Sequence, residues 1–293
     1  MAKGKSDSDR VRELKRLNDV MNKLNLSPKD VRHMALSMRS FKSRQYATFK
    51  HDFTGKHIKI GVLSDTHFGN KWTDKQFLSD VVRNMKEAKV EAIYHVGDIT
   101  DGPWQRHQNI LEQYAHGIEQ QTEDFIKDFP DKNIPIFLID GNHDGWYIKM
   151  GAGSPGKLVA SARDDMTYLG ENEAVIKIGK LEVMLSHPDD GNAYAYSYKA
   201  QKFIEAMVKM EEKVPDVILQ GHYHKLFYMN AAGTNYFSTG TTCRQTPWMR
   251  GRKISADIGA WILDLYRDSH GRMTKINQTL LPYHGDKHTV AIK

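Results

Sequence analysis

Five short apolar runs in this chain each end in residues that can do chemistry. The run 58–63 leads into Ser64-Asp65-Thr66-His67, and 92–96 into Gly97-Asp98-Ile99-Thr100-Asp101. The run 134–139 leads into Asp140-Gly141-Asn142-His143-Asp144, 181–185 into Ser186-His187-Pro188, and 217–219 into Gln220-Gly221-His222-Tyr223-His224. Short apolar runs bounded by turn residues read as buried strands. Open α/β sheets bind ligands just beyond the carboxyl ends of their strands, so the five endings build one cluster of carboxylate, imidazole and amide. Imidazole with carboxylate suits zinc, manganese, iron and similar divalent ions, and no thiolate is present to select a soft metal. So many donors exceed the needs of one tetrahedral ion. They suggest two ions sharing a bridging carboxylate, roughly 3.5–4 Å apart, which would clamp the attacking and leaving oxygens of phosphoryl transfer. Each motif alone has a plain reading as a surface turn or polar loop. The plain reading of the set, a hydrogen-bonded loop network, fares worse, because so many charged and imidazole groups would repel or need burial partners without a metal.

The elements that must hold these endings follow from apolar spacing. Phe77, Leu78, Val81, Val82 and Met85 make one helical pattern, and Phe203, Ile204, Met207 and Val208 make another. A third is expected through Leu111, Tyr114, Ala115, Ile118, Phe125 and Ile126. Strand and helix alternate, which points to an α/β domain over residues 51–293. After residue 225 the pattern turns strand-like, at 226–229, 236–238, 260–265 and 276–281. No internal repeat or low-complexity segment interrupts it.

Residues 1–50 read differently. Val11, Leu14, Leu17, Met21 and Leu24 form one apolar stripe, and Ser27-Pro28-Lys29-Asp30 is a helix start that opens a second helix through Val31, Met34, Ala35 and Met38. The pair is expected to be a basic helical segment, either a hairpin packed on the main domain or part of a helix-turn-helix DNA reader. Residues 1–59 hold 15 Lys and Arg against 6 Asp and Glu, whereas residues 60–293 hold 27 against 30. The basic excess behind the net charge of +6 therefore sits in a short segment that could meet a polyanion. Its alternative is a solvated helical surface.

The 293 residues suffice for one large domain, or a medium one with an appendage. No stretch reaches the roughly 18 apolar residues of a membrane span. The lysines at the N-terminus precede no apolar core, so no secretory signal is expected. Cys243 is the single cysteine and makes no disulfide, so a reducing cytoplasm is the expected location.

Together, Asp65-x-His67, Gly97-Asp98-x-x-Asp101, Gly141-Asn142-His143-Asp144, His187 and Gly221-His222-x-His224 resemble the signature of calcineurin-like metallophosphoesterases, over roughly residues 57–265. The resemblance implies a four-layer α/β/β/α sandwich of two mixed sheets flanked by helices, with the late strands suiting the second sheet. It implies a binuclear centre. Asp65, His67 and His224 would bind one ion, Asn142, His187 and His222 the other, and Asp98 both. A bridging water or hydroxide would be the nucleophile. His143 would face the phosphate and give a hydrogen bond or proton to the leaving oxygen. Asp101 stands where a carboxylate orients that histidine in several relatives, with Asp144 as the alternative orienter or a loop cap. The ions would be divalent, manganese first, with zinc, iron, nickel, cobalt or magnesium as alternatives. The layout also looks like phage-encoded members of the family.

Phosphoprotein phosphatases of the family carry arginine just after the second motif's last Asp and glutamate at the end of the third. This chain has Gly102 and Asp144 there, which argues against that branch. The wording is similar to the phosphodiesterase and DNA-repair nuclease branches. Trp104, Trp146, Tyr147, Tyr194, Tyr196, Tyr198 and Trp248 lie near the motifs, and Arg244 and Arg250 flank the last. Such rings can stack on bases and such arginines can hold phosphates, although covering the core is the commoner use of any one ring. The expected function is therefore a metal-dependent phosphodiesterase or nuclease, with DNA or RNA as possible partner through the basic segment. A phosphomonoesterase is the alternative, and a non-catalytic scaffold on the same fold is the third reading.

Overall fold

Ile58, Ile60 and Val62 alternate along strand β2 (His57–Leu63) into one core, while Leu63 enters another. This period of two is what a strand covered on both faces requires. The computed structural model describes residues 47–283 except 52, 54, 104–109, 192–194 and 211, together with Lys23 and Ser27. The chain divides into two compact units, residues 1–45 and 46–293. In the first, Lys23 is helical. The two expected helices, and the choice between hairpin and helix-turn-helix, lie outside the described residues.

The second unit carries two six-stranded sheets. One has the order β12 (Met273–Pro282), β11 (Gly259–Arg267), β2, β3 (Ala92–Val96), β4 (Ile136–Asp140) and β5 (Met166–Glu171). The other has β1 (Ala47–Lys50), β6 (Glu173–Ile178), β7 (Leu181–Ser186), β8 (Val217–Gln220), β10 (Thr234–Thr239) and β9 (Leu226–Ala231). Strands β2 to β5 run parallel to one another, as do β7, β8 and β10, and antiparallel strands complete each sheet. The facing sides interleave Ile60, Tyr94, Val96 and Trp261 with Ile176, Val183, Leu219 and Phe237.

Helices cover the outer sides. Helix α1 (Lys75–Glu87) starts where Asp74 accepts a hydrogen bond from Phe77 N at 3.0 Å, and it buries the five apolar residues its spacing marks. Helices α2 (Ile118–Asp128), α3 (Asn142–Lys149) and α4 (Pro155–Ala162) follow on the first sheet's side of the chain order, and Phe125 and Val159 share the outer core with α1. Helix α5 (Tyr196–Lys209) packs Ala200, Ile204 and Met207 against the second sheet. The result is the expected α/β/β/α arrangement.

Three expectations change. Residues 47–50, which close the expected helical segment, are a strand, paired in parallel with β6, because Phe49 reaches the inter-sheet core. The helix expected from Leu111 to Ile126 splits into a 3-10 turn (Ile110–Glu112) and α2. Between them Tyr114 N and Ala115 N turn back to Gly69 O, and Leu111 is 76% exposed. Of the late strands, β9 and β10 join the second sheet, but β11 pairs with β2 and carries β12 into the first.

Candidate metal centre

The five motifs sit at the strand ends of both sheets. Asp65 and His67 follow β2, Asp98 and Asp101 follow β3, and Asn142 opens α3 after β4. His187 follows β7, and His222 and His224 follow β8. The loops are laced together by main-chain bonds, Asp65 N to Gly97 O, His67 N to Asp98 O and Gly221 N to Ser186 O. Gly221 must be glycine: a Cβ there would lie 2.5 Å from Val96 O. Asp65, His67, Asp98, His222 and His224 all take left-handed backbone angles, with φ between 47° and 79°. Such angles cost on the order of 1–3 kcal/mol at a non-glycine residue and persist where surrounding contacts enforce them.

The donor atoms converge. Asp65, His67 and His224 offer atoms within 4.8 Å of one another, and so do Asp98, His187 and His222. His67 Nε2 and His224 Nε2 face each other at 3.1 Å, and His224 Nε2 lies 3.1 Å from Asp65 Oδ1. Asn142 Oδ1 lies 3.1 Å from His187 Nε2 and 2.8 Å from His222 Nδ1. Asp98 Oδ2 is between the two groups, 3.2 Å from His187 Nε2 and 3.8 Å from His67 Nε2, while Oδ1 accepts from His143 N at 2.9 Å.

The outward nitrogens fix the rings. His187 Nδ1 donates to Val96 O at 2.6 Å, and His222 Nε2 donates to Asp190 O at 2.7 Å. Burial and the neighbouring His187 lower the His222 pKa, so its ring is neutral and its inward Nδ1 carries a lone pair. That lone pair points at another acceptor, Asn142 Oδ1, at 2.8 Å. Two acceptors at that distance with no proton between them fit a cation, which is the test the donor set passes. The carboxylates say the same. Burial pushes Asp65 and Asp98 up, but the imidazoles of His224 and His187 beside Asp65, and of His187 and His143 beside Asp98, outweigh it and hold both well below the usual range. Burial alone would lower His187, but Asp98 and Asp65 carry it to about 9. Protons on imidazole balance the cluster, and a bound metal would displace them.

Asp101 touches two of the histidines. His143 Nδ1 donates to the main-chain oxygen of Asp101 at 2.7 Å. The Asp101 carboxylate accepts from Asn70 Nδ2 at 3.0 Å and Gln113 Nε2 at 2.7 Å, and lies 3.4 Å from His67 Nδ1. The carboxylate therefore backs His67, while the main-chain oxygen holds His143. Asp144 is the loop cap: it accepts from the main-chain nitrogens of Ile99, Thr100 and Gly141 and from the Thr100 hydroxyl.

Beside the donors lies a cleft of about 420 Å³, lined among others by His143, Trp146, Thr246, Trp248, Met249 and Arg252. The segment after β10 thus borders this cleft. Trp104 and Tyr194 lie outside the described residues. Arg244 does not face the cleft group; it pairs with Asp74 at 2.7 Å, and the arginine over Trp248 is Arg252. Sequence reasoning missed Ser64, which donates to Asp65 and to Val96 O, and Gln113 and Asp190. Ser64 and Asn70 lie within or beside the first motif, which is a signal. Gln113 and Asp190 carry none.

Residues 58–255 match the family model described as the calcineurin-like phosphoesterase superfamily domain. The DNA polymerase II small subunit of Thermoplasma acidophilum is 24% identical over 237 residues, covering 66% of this chain and 47% of that protein. The chain thus spans about half the length of this curated relative. Among solved structures, a novel archaeal phosphodiesterase is similar with a TM-score of 0.45 and 18% identity, covering 76% of this chain and all of that one. Yfce, a phosphoesterase from E. coli, is similar with a TM-score of 0.39 and 14% identity, covering 75% of this chain and 98% of that one. No helix among the described residues is long and apolar enough to cross a membrane. With the family model spanning all five motifs, the chain belongs to the calcineurin-like phosphoesterase superfamily.

Proposed function

We propose that this protein is a binuclear metal-dependent phosphodiesterase acting on nucleic acid or nucleotides. The observation that carries the reading is the pair of donor groups that share Asp98. Asp65, His67, His224 and Asp98 would hold one divalent ion, and Asp98, Asn142, His187 and His222 the other, manganese first among the candidates. Bound there, the ions would make a nucleophile of water near neutral pH and offset charge on the phosphoryl oxygens. His143, anchored through Nδ1 to Asp101 O, would turn Nε2 towards the leaving oxygen and give it a proton. The Asp101 carboxylate would hold His67 in register.

Two further points favour a diester over a phosphoprotein. At Gly102 φ is +80°, and a Cβ would lie 2.9 Å from His143 O, so the arginine of phosphoprotein phosphatases has no room at that position. The likeness to a protein named a DNA polymerase subunit, and the basic residues 1–50, both fit a nucleic-acid substrate.

The test compares bis-p-nitrophenyl phosphate, p-nitrophenyl phosphate and labelled single- and double-stranded DNA, with manganese. Turnover of the diester and of DNA is expected, and DNA binding should weaken steeply with salt and lose most of that dependence once residues 1–45 are removed. Turnover of the monoester alone would make the protein a phosphatase. A second outcome is expected at Asp101. Asp101→Asn should lower manganese affinity by about 10–100-fold in calorimetric titration, as loss of a carboxylate behind a ligating histidine does. Unchanged affinity would leave Asp101 only its backbone role.

A further inference from the structure

The segment that follows β10 ends in a short helix, α6 (Pro247–Gly251), and this helix is tied down from several directions. Thr246 caps it by accepting from Met249 N at 3.2 Å. The buried Glu112, from the 3-10 turn beside α2, accepts from Trp248 N at 2.6 Å. Gln245 Nε2 reaches Ile254 O at 3.0 Å and closes the base of the segment. The indole of Trp248 is nevertheless 38% exposed at the cleft, with the Arg252 guanidinium 4.7 Å from its ring centre. Trp146, which also lines the cleft, lies against His143, ring centres 4.1 Å apart. A large apolar ring held part-exposed at an open cleft by a fixed backbone is costly to leave wet, and a ligand recovers that cost.

We propose that Trp248, steadied by Arg252, is a specificity determinant that stacks on the nucleobase of the nucleoside next to the scissile phosphate. This rests on the phosphodiesterase reading and narrows it: the substrate carries a base within one nucleoside of the reacting phosphorus. The cleft of about 420 Å³ is in the range of small-ligand sites, enough for a single nucleoside. An aromatic ring with a guanidinium beside it suits any base, because every base has a π-face, and adds a charge for the neighbouring phosphate.

The experiment compares two diesters with the same leaving group, thymidine 5′-(p-nitrophenyl phosphate) and methyl p-nitrophenyl phosphate, using full-length protein prepared with manganese. The ratio of their kcat/KM values should fall about tenfold in Trp248→Ala, through KM, and recover largely in Trp248→Phe. A ratio unchanged by Trp248→Ala would overturn the proposal, as would a ratio that falls through kcat alone. If the wild-type protein turns over neither ester, the phosphodiesterase reading fails, and the stacking role is decided by binding. Calorimetry should then show thymidine 5′-monophosphate bound about tenfold more tightly than deoxyribose 5-phosphate, with the preference lost in Trp248→Ala. Equal affinities for the two ligands would overturn it.

Discussion

Asp98→Asn is expected to reduce kcat/KM for bis-p-nitrophenyl phosphate by about 10³-fold or more. The carboxylate faces both donor groups, 3.2 Å from His187 Nε2 and 3.8 Å from His67 Nε2. The amide keeps the shape and an oxygen for His143 N but withdraws one negative charge from both groups at once. Charge stabilisation of several kcal/mol is at stake in such a centre, and each 1.36 kcal/mol is tenfold in rate. The variant should also bind fewer than two manganese ions per chain in calorimetric titration, with its circular dichroism unchanged. Two ions still bound and full activity would remove Asp98 from the bridging role.

His143→Ala should act by a different route. Positioned proton transfer contributes about 10²–10⁴-fold, so the loss should be in that range for DNA, whose leaving alkoxide needs a proton. With p-nitrophenolate, which leaves unaided, the loss should be about tenfold or less, and metal binding should stay as in the wild type. The pH dependence follows from the ring. Its Nδ1–H is committed to Asp101 O, so Nε2 can donate only from the imidazolium. Burial pushes the His143 pKa down to about 4, against the pull of Asp98, so in the free protein the donating form is depleted as pH rises above that value. A reaction that needs it loses rate on the alkaline side, and His143→Ala should abolish that fall in kcat/KM for DNA. An alkaline limb that survives in the variant would assign it to another group.

The sequence exposes what is periodic and what is chemically unusual. Strands β2, β3, β7 and β8 stand out because they are buried on both faces and end in Asp, His or Gly, and α1 stands out because Phe77 to Met85 keep one stripe. Partnership does not show in the same way. Nothing in Ala260 to Leu265 says that β11 pairs with β2 rather than extending the second sheet, since register is decided by the packed layers. Strand β1 hides in a basic stretch because Phe49 is its one core residue. In the centre, motif spacing marks the donors, but whether Asp101 uses its carboxylate or its carbonyl depends on a turn at Gly102. Arg252 is chosen over Arg244 by the turn of α6 and by Asp74, which is distant in the chain from both.

The division of the donors between the sheets has a mechanical consequence. Asp65, His67, Asp98 and Asn142 leave the first sheet, whereas His187, His222 and His224 leave the second. Each donor group takes atoms from both. A bound ion would therefore be a rivet through the open end of the sandwich, adding to the hydrogen bonds from His187 Nδ1 to Val96 O and from His222 N to Asp65 that already tie the layers there. Because such ions bind the folded chain and not the unfolded one, saturation at a hundred times the dissociation constant adds about 2.7 kcal/mol per ion. On the proposed function, catalytic readiness and resistance to prising the layers apart would then be one property, set by the same metal concentration.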